Sequence, residues 1–131
     1  MTISNFFLVF VGGGVGAAVR FFMTTAAARW GAAFPFGTLA VNAVGSFLMG
    51  LVMGAILLLT EKYGLIAESL RLLLAVGFLG GLTTFSSFSF ETLLLLKGGS
   101  CLLAFCNVAL QILAGLLLAA LGMVLARIFL P

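Results

Sequence analysis

The sequence predicts an all-α integral membrane protein with four transmembrane helices, the third of them broken mid-membrane. Hydrophobic residues make up 64% of the 131 residues and charged residues only 7%, against about 25% charged residues in ordinary soluble domains. The apolar residues fall into four runs that each provide the roughly 20 residues a spanning helix needs. The third run contains Gly80-Gly81 followed by a run of hydroxyl residues. This composition suits a continuous helix poorly, so we expect the third helix to be broken there.

The four runs are expected to form a single domain, residues 1–131, without a soluble domain. The spans are expected at about 4–28, 37–60, 68–97 with a break near 80–84, and 100–128. Residues 61–64 are expected to form an aqueous loop. The first run is expected to be retained, since no basic signal-peptide region precedes it.

The first span carries Gly12, Gly16 and Arg20 at intervals of four residues, so they share one helix face. Small residues at this spacing let helix backbones approach closely. A charged residue within a span usually faces protein or a water-filled cavity, although a long side chain such as Arg20 can also snorkel to the interface. The span is expected to end near Arg29-Trp30-Gly31, which suits the headgroup region.

The second span starts after Phe34-Pro35-Phe36, where proline marks a helix start. One stripe on this helix is expected to face protein and consists of Thr38, Asn42, Ser46, Gly50 and Gly54. The two amide N–H groups of Asn42 could be presented to a pore, or Asn42 could join two helices by a hydrogen bond.

The break in the third span is expected to be buried at an interface, because unpaired backbone in the hydrocarbon region needs protein or a water-filled cavity around it. The fourth span carries Asn107, Gln111 and Gly115 at intervals of four. Two amide side chains on one face of a membrane helix need partners. We therefore expect this face to pack against the other helices.

Composition argues against several functions. The chain has no histidine, and Cys101 and Cys106 are its only cysteines, which removes Cys/His metal sites and the commonest general base. An enzyme is not expected. The net charge of +3 comes from scattered residues, so nucleic acid is not an expected partner, whereas the lipid bilayer is.

The charge distribution predicts insertion in both orientations. With four spans, one side carries Lys62, Arg71 and Arg127 and the other carries Arg29 and Lys97, plus Arg20 if it counts. Three cations against two or three is almost no bias of the kind that orients membrane proteins. Four short helices also enclose little volume, while three of them carry polar stripes. We therefore expect an antiparallel, dual-topology homodimer.

The third span also suggests an ion. Phe85 and Phe88 share a helix face, and electropositive ring edges can attract an anion. Thr84, Ser86 and Asn42 are neutral donors able to replace the water shell of a small anion. Alternatively, the two rings are packing residues and the hydroxyls bond back to helix carbonyls.

Two segments resemble the signature sequences of the Fluc (CrcB) family of fluoride ion channels. They are Gly37-Thr38-Leu39-x-Val41-Asn42-x-x-Gly45 and Gly77-Phe78-x-Gly80-Gly81-x-Thr83-Thr84-Phe85-Ser86-x-Phe88-x-x-Glu91. Gly16-x-x-x-Arg20 is similar to the first-helix pattern of that family. The resemblance covers all four spans in order and spacing.

This resemblance implies passive export of toxic fluoride across the cell (inner or plasma) membrane through two pores in an antiparallel dimer. It also implies a structural sodium ion at the dimer centre, bound by the backbone carbonyls of Gly80 and Thr83 from both subunits. By position, Phe85, Phe88, Thr84, Asn42 and Ser86 line the pore, with Asn42 and Ser86 as fluoride donors. Arg20 corresponds to the entrance vestibule and Glu91 to the acid that ends the motif.

On the fourth helix, the resemblance implies that Asn107 and Gln111 lie along the pore. Family members frequently have serine where Gln111 stands, so the polar track is expected to be narrower or rewired here. Glu91 could carry protons in a fluoride/proton antiporter or serve as a structural hydrogen-bond partner. A lone acid makes a poor proton relay, which favours the structural role.

A small multidrug-type exporter also has four helices, but it needs an intramembrane acid in the first span, where this chain has Arg20. A non-conducting structural membrane protein would leave the arrangement of Phe85, Phe88 and Asn42 unexplained.

Overall fold

The computed structural model describes residues 2–29 and 33–129. Its elements are α1 (Ile3–Ala28), α2 (Phe36–Leu70), a π-helical segment (Arg71–Leu79), α3 (Gly80–Leu82), α4 (Phe85–Lys97) and α5 (Cys101–Phe129). Four stretches are long and apolar enough to cross a membrane: Ile3–Ala28, Phe36–Thr60, Gly64–Lys97 and Cys101–Phe129. The prediction of an all-α, multi-pass membrane protein is confirmed. Trp30, Gly31 and the side chain of Lys62 lie outside the described residues.

Local chemistry fixes several helix ends. The hydroxyl of Thr2 accepts from the backbone N–H of Asn5 at 3.4 Å and caps α1. Pro35 comes directly before the first residue of α2, as predicted. Between α4 and α5, Gly99 has φ 75°, a left-handed conformation that glycine adopts at little cost. The turn after α4 can therefore be short.

The chain reverses direction within the helical run that begins at Phe36. Asn42 is hydrogen-bonded to Thr84, whereas 42 residues of straight helix would separate them by about 63 Å. The backbone stays helical across residues 61–67, where the sequence analysis places a loop at 61–64 before the next span. This stretch contains good helix formers such as Glu, Lys, Leu and Ala, so helical hydrogen bonding continues outside the two spans.

Glycines allow the helices to pack closely. A Cβ atom on Gly50 of α2 would overlap the carbonyl oxygen of Ala119 on α5. A Cβ atom on Gly16 of α1 would overlap the carbonyl oxygen of Phe78 in the π-helical segment. Gly12 and Gly16 are buried, as are Thr38, Gly50 and Gly54 of the α2 stripe. Both stripes therefore face protein, as predicted.

Candidate functional site

The site is organised around two residues that leave helical geometry. Thr83 (φ −76°, ψ 154°) and Thr84 (φ −148°, ψ 114°) are extended, between the end of α3 at Leu82 and the start of α4 at Phe85. In a continuous helix the N–H of Thr84 would bond to the carbonyl of Gly80. It instead donates to Oδ1 of Asn42 at 2.8 Å, so the Gly80 carbonyl loses its helical partner.

Asn42 connects this interruption to two other helices. Its Nδ2 donates to the carbonyl oxygen of Thr84 at 3.1 Å and to Oε1 of Gln111 on α5 at 3.0 Å. Its Oδ1 accepts from Thr84 N–H, so the amide pairs with both backbone groups of one extended residue. The interpretation of Asn42 as an interhelical hydrogen-bonding residue is confirmed.

A cavity of about 370 Å³ lies beside the interruption. None of the described residues that line it carries a charge, and the lining consists of Asn42, Gly45, Ser46, Met49, Thr83, Thr84, Phe85, Phe88, Gln111, Ile112 and Ala119. Thr84 caps α4 by accepting from the backbone N–H of Ser87 at 3.2 Å. Because Thr84 and Phe85 are part of the lining, the positive end of the α4 dipole borders the cavity.

Phe85 and Phe88 both line the cavity, and their rings meet edge to face with centroids 5.5 Å apart. Phe85 is 79% exposed, and Phe88 is partly buried. Such contacts between the edge of one ring and the face of another are electrostatically favourable. A ring as exposed as that of Phe85 does not belong to the core of a single subunit, and this argues against pure packing within the subunit.

Not every predicted pore residue borders this cavity. Ser86 is exposed, with its hydroxyl 3.2 Å from that of Thr84, and it is not part of the lining. Asn107 is fully buried and donates to the hydroxyl of Thr92 at 2.9 Å. The hydroxyls of Thr83 and Ser89 bond back to carbonyls one turn earlier, whereas those of Thr84 and Ser86 lie beside each other.

Arg20 lies at the interruption and is not part of the cavity lining. Its Nη1 donates to the carbonyl oxygen of Thr83 at 3.4 Å. Arg20 is partly buried, so this end of its side chain contacts protein. Gly80, the other residue predicted to supply a carbonyl to sodium, is exposed.

Glu91 lies away from the interruption, at the end of the molecule where α2 begins. It accepts a 2.6 Å hydrogen bond from the hydroxyl of Thr38, and its Oε2 is buried with no partner in the described part of the chain. Glu91 borders two further cavities of about 200 Å³ and 370 Å³. This geometry provides the structural partner that the sequence analysis favours for Glu91.

Several residues of these sites carry no functional assignment from the sequence, among them Thr38, Ser46, Met49 and Thr92. Thr38 and Ser46 belong to the predicted protein-facing stripe of α2. That stripe is the sequence feature that could have identified them as site residues. Thr92 lies four residues after Phe88, and no pattern links it to Asn107. Met49 resembles any other apolar residue of a spanning helix.

The fold and the site define a small multi-pass membrane protein with an uncharged, mostly apolar cavity that carries a few amide and hydroxyl groups beside an interrupted helix. The chain belongs to the CrcB family, since a family profile described as CrcB-like protein, Camphor Resistance (CrcB), matches residues 7–123. The resemblance in the signature segments is thereby confirmed.

Relatives from distant organisms match over nearly the whole chain. A protein of Geobacter sp. (strain M21) named fluoride-specific ion channel FluC is 44% identical over 116 residues, covering 88% of this chain and 90% of the relative. A protein with the same name from Magnetococcus marinus is 45% identical, covering 92% and 95%. Another from Pyrococcus abyssi is 39% identical, covering 97% and 99%.

Proposed function

We propose that this protein is a fluoride-selective channel that passively exports fluoride across the cell membrane. The observation that carries the proposal is the cavity beside Thr83 and Thr84, which combines aromatic rings, amide and hydroxyl groups and a helix N-terminus without a charged side chain. Membership of the CrcB family and relatives named as fluoride-specific channels support the same function.

The cavity lining suits a small anion that must enter and leave quickly. Helix N-termini and ring edges attract negative charge, and neutral donors replace part of the water shell. A fixed positive charge would bind more tightly, whereas conduction needs binding weak enough for release. Phe85 and Phe88 supply the ring edges in this proposal, and Thr84 lies where the helix dipole is strongest.

We further propose that the chain works as an antiparallel dimer with two pores, inserted in both orientations in the inner or plasma membrane. Thr83 and Thr84 lie near the middle of the Gly64–Lys97 span, which supports a helix break near mid-membrane. Extended backbone at that depth needs covering by protein or a water-filled cavity. A second copy packed against exposed Gly80 and Phe85 would cover it.

The proposed dimer would hold a sodium ion between the two interruptions, and the carbonyl groups fit such an ion. Within the described residues, the N–H of Thr84 bonds to Asn42 instead of the Gly80 carbonyl, and the Thr83 carbonyl accepts one long bond, from Arg20, which leaves it a second lone pair. Unwound backbone carbonyls commonly coordinate sodium in membrane proteins. Two carbonyls are too few for a complete site, so both subunits would contribute. Replacing sodium by potassium should lower the unfolding temperature of the purified dimer, and an unchanged temperature would contradict the site.

Ion efflux from liposomes tests the function. Purified protein is reconstituted in liposomes loaded with fluoride or chloride, and efflux is recorded with ion-selective electrodes. We expect fast fluoride efflux without chloride efflux, and loss of the fluoride signal in Phe85→Ile and in Phe88→Ile. Phe129→Ile, a change at an exposed ring near the end of α5, serves as the matched control and should conduct normally.

The same liposomes separate a channel from a fluoride/proton antiporter. Passive conduction continues when the proton gradient is clamped, provided that a potassium ionophore balances charge. Efflux that stops under the clamp would establish the antiporter and assign Glu91 a place in proton transfer. Absence of fluoride efflux under every condition would overturn both the channel and the antiporter.

A further inference from the structure

The orientation of the Asn42 amide is fixed by backbone groups. The N–H of Thr84 requires an acceptor and the carbonyl of Thr84 requires a donor, so Oδ1 must face the first and Nδ2 the second. The remaining N–H of Nδ2 points to Gln111 at 3.0 Å. An asparagine amide has two N–H donors, and both are used within the protein.

The orientation of the Gln111 amide then follows. Because a donor of Asn42 faces it, the near atom of Gln111 must be the acceptor Oε1, and Nε2 is turned away with two N–H groups. That nitrogen is buried, and within the described part of the chain it has no hydrogen-bond partner. Leaving a buried donor unpaired costs about 1–3 kcal/mol, which an acceptor in the neighbouring cavity would offset.

We infer that the Nε2 amide of Gln111 is the hydrogen-bond donor that holds fluoride in the cavity, and that Asn42 is a positioning residue. This inference rests on the proposed function and names the group that binds the anion. Gln111 lines the same cavity as Phe88 and the start of α4. Nε2 is closed off from the cavity in this conformation, so the end of the Gln111 side chain would turn to donate to fluoride there, while the ring edges and the helix N-terminus balance the charge of the ion.

The resemblance in the signature segments implies that Asn42 donates a hydrogen bond to fluoride, whereas here we assign that donor to Gln111. In this chain the glutamine side chain is long enough to reach Asn42 and to take its second N–H. Serine at position 111 would be too short for that contact and would release Nδ2 of Asn42. The donor is therefore set by the length of the side chain at position 111.

Solution NMR tests the inference directly, because Gln111 is the only glutamine in the chain and there are three asparagines. Protein labelled with ¹⁵N in its side-chain amides is titrated with sodium fluoride in detergent micelles, with sodium chloride as the control. We expect a saturable downfield shift of the Gln111 amide protons with fluoride and none with chloride, while the Asn42 signals stay in place. A saturable shift at Asn42 with none at Gln111 would overturn the inference.

A second variant keeps the test independent of the channel proposal. In Gln111→Ser the fluoride-dependent chemical-shift change should appear at the Asn42 amide signals. If the Asn42 signals of this variant do not respond to fluoride, the assigned roles are contradicted. Fluoride efflux from liposomes is measured on the same preparations. Efflux without a Gln111 shift overturns the donor assignment alone, whereas absence of efflux overturns the proposed channel.

Discussion

The Glu91 carboxylate is a partly buried polar group whose hydrogen bonding is incomplete in the described part of the chain. One carboxylate oxygen accepts from Thr38 at 2.6 Å, while the other is buried and has no partner in the described part of the chain. Burial of polar atoms is unfavourable unless hydrogen bonds compensate for the lost water. The hydroxyl of Thr38 therefore has a large share in holding α4 against the start of α2.

Replacing Thr38 by valine tests this contact. Thr38→Val keeps the shape of the side chain but leaves Glu91 without its donor, so the free energy of unfolding should fall by about 1–3 kcal/mol. Thr38→Ser retains the hydroxyl and should lose much less. Thermal unfolding of both variants in detergent gives the comparison. Equal stability of the valine variant and the parent protein would show that water replaces the hydroxyl.

The sequence predicts which polar residues face inward but not how they pair. Polar and small residues spaced four positions apart predict that Asn42 lies on an internal face of α2 and Gln111 on an internal face of α5. Both residues do face protein, since their amides are hydrogen-bonded to each other. The pairing depends on the distance between the two helices, which Gly50 and Gly122 set through contacts that periodicity does not describe. For this reason the sequence identified Asn42 as a donor and could not show that its donors are occupied.

At the scale of helices, the approach of α1 to the π-helical segment depends on missing side chains. A Cβ on Gly16 would overlap the carbonyl of Phe78, whereas a Cβ on Gly14, two residues earlier, would meet nothing within 4 Å. These two positions provide a matched comparison. They share the same helix and the same intrinsic propensity, so a difference between them reports packing.

Gly16→Ala should lower the free energy of unfolding by about 1–3 kcal/mol, since an overpacked contact forces the backbones apart. Gly14→Ala should be neutral or stabilising by up to about 1 kcal/mol, because alanine is the better helix former. Thermal unfolding in one detergent measures both changes. If the two variants lose the same stability, the close approach of α1 is not a determinant of the fold.

The four spans follow from hydrophobicity, whereas the backbone around the interruption does not. Gly80 and Gly81 remain helical, and extended geometry occurs at Thr83 and Thr84, since Gly81 packs against the backbone of Gly13 and tertiary packing overrides weak propensities. The sequence analysis does not predict the π-helical segment Arg71–Leu79. Wide helical turns of this kind depend on packing and are frequent at functional sites.

At the scale of the whole molecule, apolar surface beside the candidate site is exposed, and the proposed second copy would cover it. Exposed Phe85 borders the candidate site, and the near-equal positive charges on the two sides permit insertion both ways. Cysteines placed at Lys62 and at Lys97, with Cys101 and Cys106 replaced by alanine, would be labelled by an impermeant thiol reagent in intact cells. Each position should react partly from outside and fully after permeabilisation, and a single orientation would contradict the antiparallel dimer.

The balance of charges can also be changed deliberately. A chain with Lys62→Gln, Arg71→Gln and Arg127→Gln keeps none of the three side-chain cations on that side against Arg29 and Lys97 on the other, so it should insert in one orientation. An antiparallel dimer can no longer form from such chains, and fluoride efflux should be lost although each chain folds. Co-expression with the oppositely biased chain, Arg29→Gln with Lys97→Gln, should restore efflux because the two orientations are again present. Full efflux from either biased chain alone would show that conduction does not require antiparallel subunits.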